Sequence, residues 1–186
     1  TEALKYLAKK YNIEVVEREE TEEEKKRNNE RESLFVVNDF AAKFFQKQLT
    51  DTEEGRSVGM AYFRERGIRP ETIEKFGLGY SPESKTAFTQ AALQAGYPSR
   101  RLSEVGLTIE YEDRPGVGID RFRGRVIFPV RNLSGRYVAF GGRVMTKSAK
   151  TAKDVNSPES LIYSKSRELY GLYWAKSAIA KAGKCF

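Results

Sequence analysis

Histidine is absent from the 186 residues, and cysteine occurs once, at Cys185. A Cys/His zinc site cannot be assembled from that inventory. A histidine-dependent catalytic triad is excluded as well. A single cysteine cannot form an intrachain disulfide, and it fits a reducing compartment. No apolar run approaches the roughly 18 residues that read as a bilayer-spanning helix. A basic-then-apolar leader is also missing, so the expected location is cytoplasmic. Whatever chemistry the chain takes part in must draw on carboxylates, Lys, Tyr or Ser, or on partners.

What is present is positive charge, unevenly placed. The chain carries 33 Lys and Arg against 26 Asp and Glu, a net of +7. Residues 1–32 hold ten acids and eight bases, so residues 33–186 carry 25 bases and 16 acids. The excess is densest between Arg114 and Lys153, with ten bases and one acid, Asp120. A surface this one-sided suits a polyanion.

The periodicity is helical first. Thr1–Tyr11 is amphipathic through Leu4, Leu7 and Ala8, and Ile13, Val15 and Val16 make a brief apolar patch. Residues 17–32 are nearly all Glu, Lys, Arg and Asn, as in a solvated helix or linker. From Ser33 to Leu49 an apolar stripe recurs at helical spacing through Leu34, Val37, Phe40, Ala41, Phe44 and Phe45. Further helices are expected over Ser57–Arg66, from Pro70 to Phe76 with Gly77 as its stop, from a Ser84 cap to Gly96, and after Pro98 up to Gly106.

The period then falls to two. Arg121, Arg123 and Arg125 alternate with Phe122, Val126, Phe128 and Val130, which predicts a strand with one wall in the core and one in water. A turn at residues 132–135 leads to a second strand, Arg136–Phe140, bent at Gly141-Gly142. Residues 146–160 read as a loop and Leu169–Ala182 as a helix closed by Gly183. The fold class is therefore α+β: a helical N-terminal half followed by a mixed, largely antiparallel β-sheet packed with helices.

Three guanidiniums at alternate strand positions stand roughly 7 Å apart, near the phosphate spacing of an extended single strand. The same row could instead guard an exposed sheet edge against aggregation. The local shortage of acids favours the phosphate reading. Most of the aromatics fall at core spacing, and Trp174 belongs with them. Tyr137 and Tyr163, set among basic residues, are better placed to stack on bases.

Several blocks then resemble one family in order. Tyr62-Phe63-Arg64-Glu65-Arg66-Gly67-Ile68 and Phe76-Gly77-Leu78-Gly79-Tyr80 are similar to the opening of the RNA polymerase domain of bacterial, DnaG-type DNA primases. Residues 121–130, Gly135-Arg136, Phe140-Gly141-Gly142-Arg143-Val144, Asn156-Ser157-Pro158-Glu159 and residues 164–172 extend the likeness. It covers roughly Ser33 to Phe186. Two departures stand out. Asp154 and Val155 follow Lys153, where the family has Lys-Tyr before its Asn-Ser-Pro-Glu block, and Ser164 stands where a His is common.

The resemblance implies residues 1–32 as the tail of a zinc-ribbon module plus a charged linker. It implies residues 33–186 as the N-terminal subdomain of the polymerase core, stopping short of the TOPRIM subdomain that carries metal-binding carboxylates. It places Arg66, Arg143, Lys153 and Lys165 at the nucleotide and primer cleft, and Arg121, Arg123 and Asn156 on template DNA, with no catalytic residue in this stretch. Mg²⁺ or Mn²⁺ and Zn²⁺ would belong to the longer parent. Its partners would be a single-stranded DNA template, an RNA primer, ribonucleoside triphosphates and the replicative helicase. A non-catalytic module that binds single-stranded nucleic acid is the alternative.

Overall fold

The computed structural model describes residues 6–8, 10–11, 20–111, 114–145 and 152–185. The apolar patch at Ile13–Val16 and the lysines Lys147 and Lys150 lie outside them. Two compact units divide the chain, Thr1–Glu30 and Arg31–Phe186.

In the first unit, Thr21 and Glu24 form a reciprocal capping box. The Thr21 backbone N–H donates to Glu24 Oε2 (2.9 Å), and the Glu24 N–H donates to Thr21 Oγ1 (3.2 Å). That cap opens α1 (Glu22–Asp51), which is 30 residues long. From Glu22 onward, the charged stretch expected as a helix or linker is therefore helical.

In the second unit, α1 buries Leu34, Phe35, Val37, Ala41, Ala42, Phe45 and Leu49. A π-helical turn (Gly55–Met60) leads into α2 (Ala61–Glu65), together covering the helix expected at Ser57–Arg66. Then come α3 (Pro70–Phe76), β1 (Gly79–Ser81), α4 (Ala87–Gln94) and α5 (Ser99–Glu104). A hairpin follows, β2 (Thr108–Tyr111) with β3 (Arg114–Asp120), and after it β4 (Arg125–Arg131), β5 (Tyr137–Val144) and β6 (Asp154–Asn156). The last element is α6 (Leu172–Ala182), ended by Gly183 as expected.

The main sheet has the order β1-β4-β5-β6, and every pairing in it is antiparallel. Register sorts its side chains, because directly paired residues share a face. Ile127 pairs with Gly142 and Pro129 with Phe140, so these residues point to one side. There α1 covers them: the Phe45 ring lies 5.6 Å from Phe140 and 5.5 Å from Phe88. Val126, opposite Arg143, and Phe128, opposite Gly141, point to the other side. On that side Phe63 of α2 meets Phe128 at 5.8 Å, within a core of Leu49, Tyr62, Ile73, Leu78 and Tyr80. These helices cover only part of the second face.

The arginine row is where the structure departs from the sequence reading. Residues 121–124 form a turn, and β4 starts only at Arg125. Two anchors break the extension. Gly124 adopts a left-handed conformation (φ 63°). Ahead of it, the Asp120 carboxylate is buried against the start of α4, where it accepts hydrogen bonds from the backbone N–H groups of Phe88 (2.7 Å) and Thr89 (2.9 Å) and from the Thr89 hydroxyl (2.6 Å). The expected row of guanidiniums along one wall does not form. Arg125 is 5% exposed and donates to the carbonyls of Arg123 (2.9 Å) and Ala152 (3.0 Å). Arg121 is half-buried, with its Nε unpartnered among the described residues, and Arg123 is exposed.

Two more arginines of the basic segment are structural. Arg136 pairs with Glu32 (3.2 Å) and lies 4.2 Å over the Phe35 ring. Arg131 stacks 4.1 Å over Tyr137 and donates to the Gly135 carbonyl (3.0 Å). Tyr137 also stacks on Phe140, so this ring is packed rather than offered to a base. Trp174 packs against Phe76 at 6.0 Å, as its helical position suggested.

Candidate nucleic-acid interface

Where the helices stop, the second face of the sheet opens into a cleft of about 560 Å³. Phe128 and Val130 of β4 and Gly141 of β5 form its floor. Arg143, Asp154 and Asn156 rise from the ends of β5 and β6, and Tyr163, Lys165, Glu168 and Tyr170 close the far side. Three of the residues picked from sequence, Arg143, Asn156 and Lys165, therefore meet in one cleft.

Local folding explains how they are held. Residues 154–156, expected within a loop, pair with β5: Asn156 faces Gly141 and Asp154 faces Arg143. A Cβ on Gly141 would come within 3.1 Å of Asn156 Oδ1, so the glycine leaves the amide space to lie over the floor. Ser157 is 1% exposed and locks the strand from behind. Its N–H donates to the Phe140 carbonyl (2.9 Å), and its Oγ accepts from the Phe140 N–H (3.0 Å). Pro158 sits against Gly106, where a Cβ would lie 2.0 Å from the proline Cδ. Glu159 accepts from the Lys165 backbone N–H (2.8 Å), fixing the segment that carries the lysine. Each residue of the Asn-Ser-Pro-Glu block thus has a separate mechanical task.

The electrostatics are mixed rather than purely cationic. Asp154 stands 3.8 Å from the Arg143 guanidinium, a loose and half-exposed pair that leaves Arg143 able to take another anion. Partial burial raises the Glu168 pKa. Burial also raises the Tyr163 phenol, with Glu159 and Glu168 adding to the effect, so this ring stays neutral.

The remaining candidates lie elsewhere. Arg66 ends α2, stacked 3.9 Å over Tyr62 and outside the cleft lining. Lys153 is exposed just before β6, its carbonyl accepting from the Val144 N–H (3.0 Å). Arg123 lines a second groove of about 540 Å³ with Glu54, Tyr80, Glu83, Lys85 and the end of β5. Val144, which lines that groove, directly follows Arg143 in the chain but points to the opposite face of the sheet. Sequence reasoning missed the floor residues Phe128 and Val130. Their alternation marked a strand, but nothing local told which stretch of the face would stay uncovered.

The family described as the DNA primase catalytic core, N-terminal domain, matches residues 44–176. The chain belongs to that family. It is 42% identical over 180 residues to a DNA primase of Halalkalibacterium halodurans, covering 97% of this chain and 29% of that protein. A DNA primase of Clostridium acetobutylicum is 37% identical over 175 residues, covering 94% and 28%. The chain therefore spans less than a third of the curated relatives' length. Among solved structures, the RNA polymerase domain of Mycobacterium tuberculosis primase DnaG superposes with a TM-score of 0.74 at 32% identity, covering 82% of this chain and 48% of that one. A DnaG primase catalytic domain bound to single-stranded DNA superposes with a TM-score of 0.70 at 32% identity, covering 81% and 47%. The α+β architecture is that of these catalytic cores.

Proposed function

We propose that this chain is the part of a primase core that holds a single-stranded DNA template and the nucleotide end of a growing RNA primer. The convergence of Arg143, Asn156 and Lys165 on one open sheet face carries this reading. The related catalytic domain with bound single-stranded DNA supports it. Arg143 and Lys165 would offset phosphate charge, and Asn156 would orient the strand by hydrogen bonds. Arg123, in the second groove, and the half-buried Arg121 would carry the template beyond the cleft. Arg66 and Lys153 would serve the nucleotide. A replicative helicase and a cytoplasmic setting at the replication fork complete the proposal for the parent protein.

Primer synthesis joins nucleotides by phosphoryl transfer, for which divalent metals supply charge neutralisation. Among the described residues no group of three or more His, Cys, Asp or Glu could hold a metal ion. No metal-dependent step is therefore assigned to these side chains, whose part is to bind and orient. The 186 residues are expected to bind single strands and to extend no primer when given template, ribonucleotides and Mg²⁺ or Mn²⁺. Radiolabelled product on a denaturing gel would contradict that division of labour.

Salt dependence tests the binding claim. With about four phosphates neutralised, log K should fall against log salt with a slope near −3 for a single strand. Arg143→Ala/Lys165→Ala should flatten the slope by about 1.4, at roughly 0.7 for each phosphate no longer neutralised. Affinity should fall about tenfold, since each exposed cation contributes about 0.5–1 kcal/mol. Fluorescence anisotropy across a salt series reads both, and an unchanged slope in the double variant removes the assignment.

A further inference from the structure

A groove built only to grip phosphates needs donors and cations. This cleft has more. Its floor is apolar, formed by Phe128, Val130 and a glycine, and its far side carries Tyr163 and Tyr170. The Tyr170 ring is braced by Phe76, with centroids 6.0 Å apart and planes at 25°. A flat apolar floor beside an aromatic wall suits the face of a nucleobase. The volume, about 560 Å³, falls within the range of small-ligand pockets, about 300–1,000 Å³.

The acids of the cleft differ in what occupies them. Asp154 faces Arg143, whereas Glu159, outside the cleft lining, is engaged by the Lys165 backbone. Glu168 lines the cleft between Tyr163 and Tyr170 and is partly buried. A carboxylate repels a phosphate by charge but is a good acceptor for an amino group. Cytosine presents an N4 amino donor where thymine presents an O4 acceptor.

We propose that the cleft seats one base of the bound strand and that Glu168 reads its edge, favouring cytosine over thymine. The proposal rests on the single-strand reading above and adds base preference to a track that would otherwise hold backbone alone. Arg143 and Lys165 take the flanking phosphates, and the tyrosine wall supports the base. Glu168 acts as a specificity-determining residue and takes no part in bond making.

The test compares the chain's affinity for dC12, dT12 and dU12 by anisotropy at fixed salt. The unsubstituted chain should bind dC12 about fivefold more tightly than dT12, a modest share of what a good base contact provides. The strand dU12 should follow dT12, because both carry a carbonyl at the reading position. Glu168→Gln keeps the side-chain shape but offers both a donor and an acceptor. The preference should then shrink to within about twofold, with dT12 binding tighter and dC12 little changed. A role confined to charge would shift all three strands in parallel, which overturns the proposal. So does equal binding of the three strands by the unsubstituted chain, an outcome that leaves single-strand binding itself intact. If dU12 binds like dC12, the methyl group is being excluded and Glu168 is not the reader. Absence of salt-dependent binding to any strand would overturn this proposal and the reading beneath it together.

Discussion

Asp120→Ala is expected to cost about 2–4 kcal/mol of stability, combining the loss of a helix cap with donors left unsatisfied in the interior. Three donors at the start of α4 converge on this carboxylate, and it is 3% exposed. No water can replace it without opening the packing between α4 and the end of β3. Burial raises the acid's pKa against the opposing pull of those hydrogen bonds. For a chain of this size the melting temperature should fall by about 2–4 °C per kcal/mol, so about 5–15 °C in all. Asp120→Asn keeps one acceptor oxygen and should lose about half as much. A thermal melt of the alanine variant within 2 °C of the parent (roughly the shift of 1 kcal/mol) would show that α4 does not depend on this cap.

Gly106→Ala should be comparably damaging, at about 2–4 kcal/mol, and should weaken strand binding too. The residue has φ 68°, a region that L side chains adopt at a cost. Its added methyl would overlap the Pro158 ring at 2.0 Å from Cδ. That ring sits two residues after Asn156, so relieving the overlap moves the cleft wall. Combining Gly106→Ala with Pro158→Ala makes room for the methyl. The double variant should recover the steric part and keep only the backbone cost of about 1–2 kcal/mol. Chemical denaturation checks the stability and anisotropy checks the strand. Simple additivity of the two substitutions would mean that no clash between the residues limits either property.

Local signals made the helical half legible. Pro70 and Gly77 bracket α3, and the apolar stripe of α1 gave its buried face. The join of that stripe to the charged stretch before it was readable in principle from the Thr21–Glu24 capping box. The β half was harder because its decisive contacts are distant in sequence. The alternation at Arg121–Val126 looked like a continuous strand, yet Asp120 is pulled away by a helix more than thirty residues earlier. The same alternation supplied a physical argument for a phosphate-binding wall, and that wall does not exist. The family assignment rests instead on ordered motifs, of which Arg143, Asn156 and Lys165 do assemble. Composition marks the basic segment but cannot separate Arg125 and Arg131, which are structural, from Arg143, which lines the cleft.

The pairing of β5 with β6 has one more consequence. Asn156 and Asp154 reach the cleft because they stand opposite Gly141 and Arg143. Shifting β6 by one residue would turn Val155 into the opening and hide both polar groups against the core. An insertion of one residue within β6 would therefore empty the cleft of both polar groups at once, because it changes the parity of the ladder.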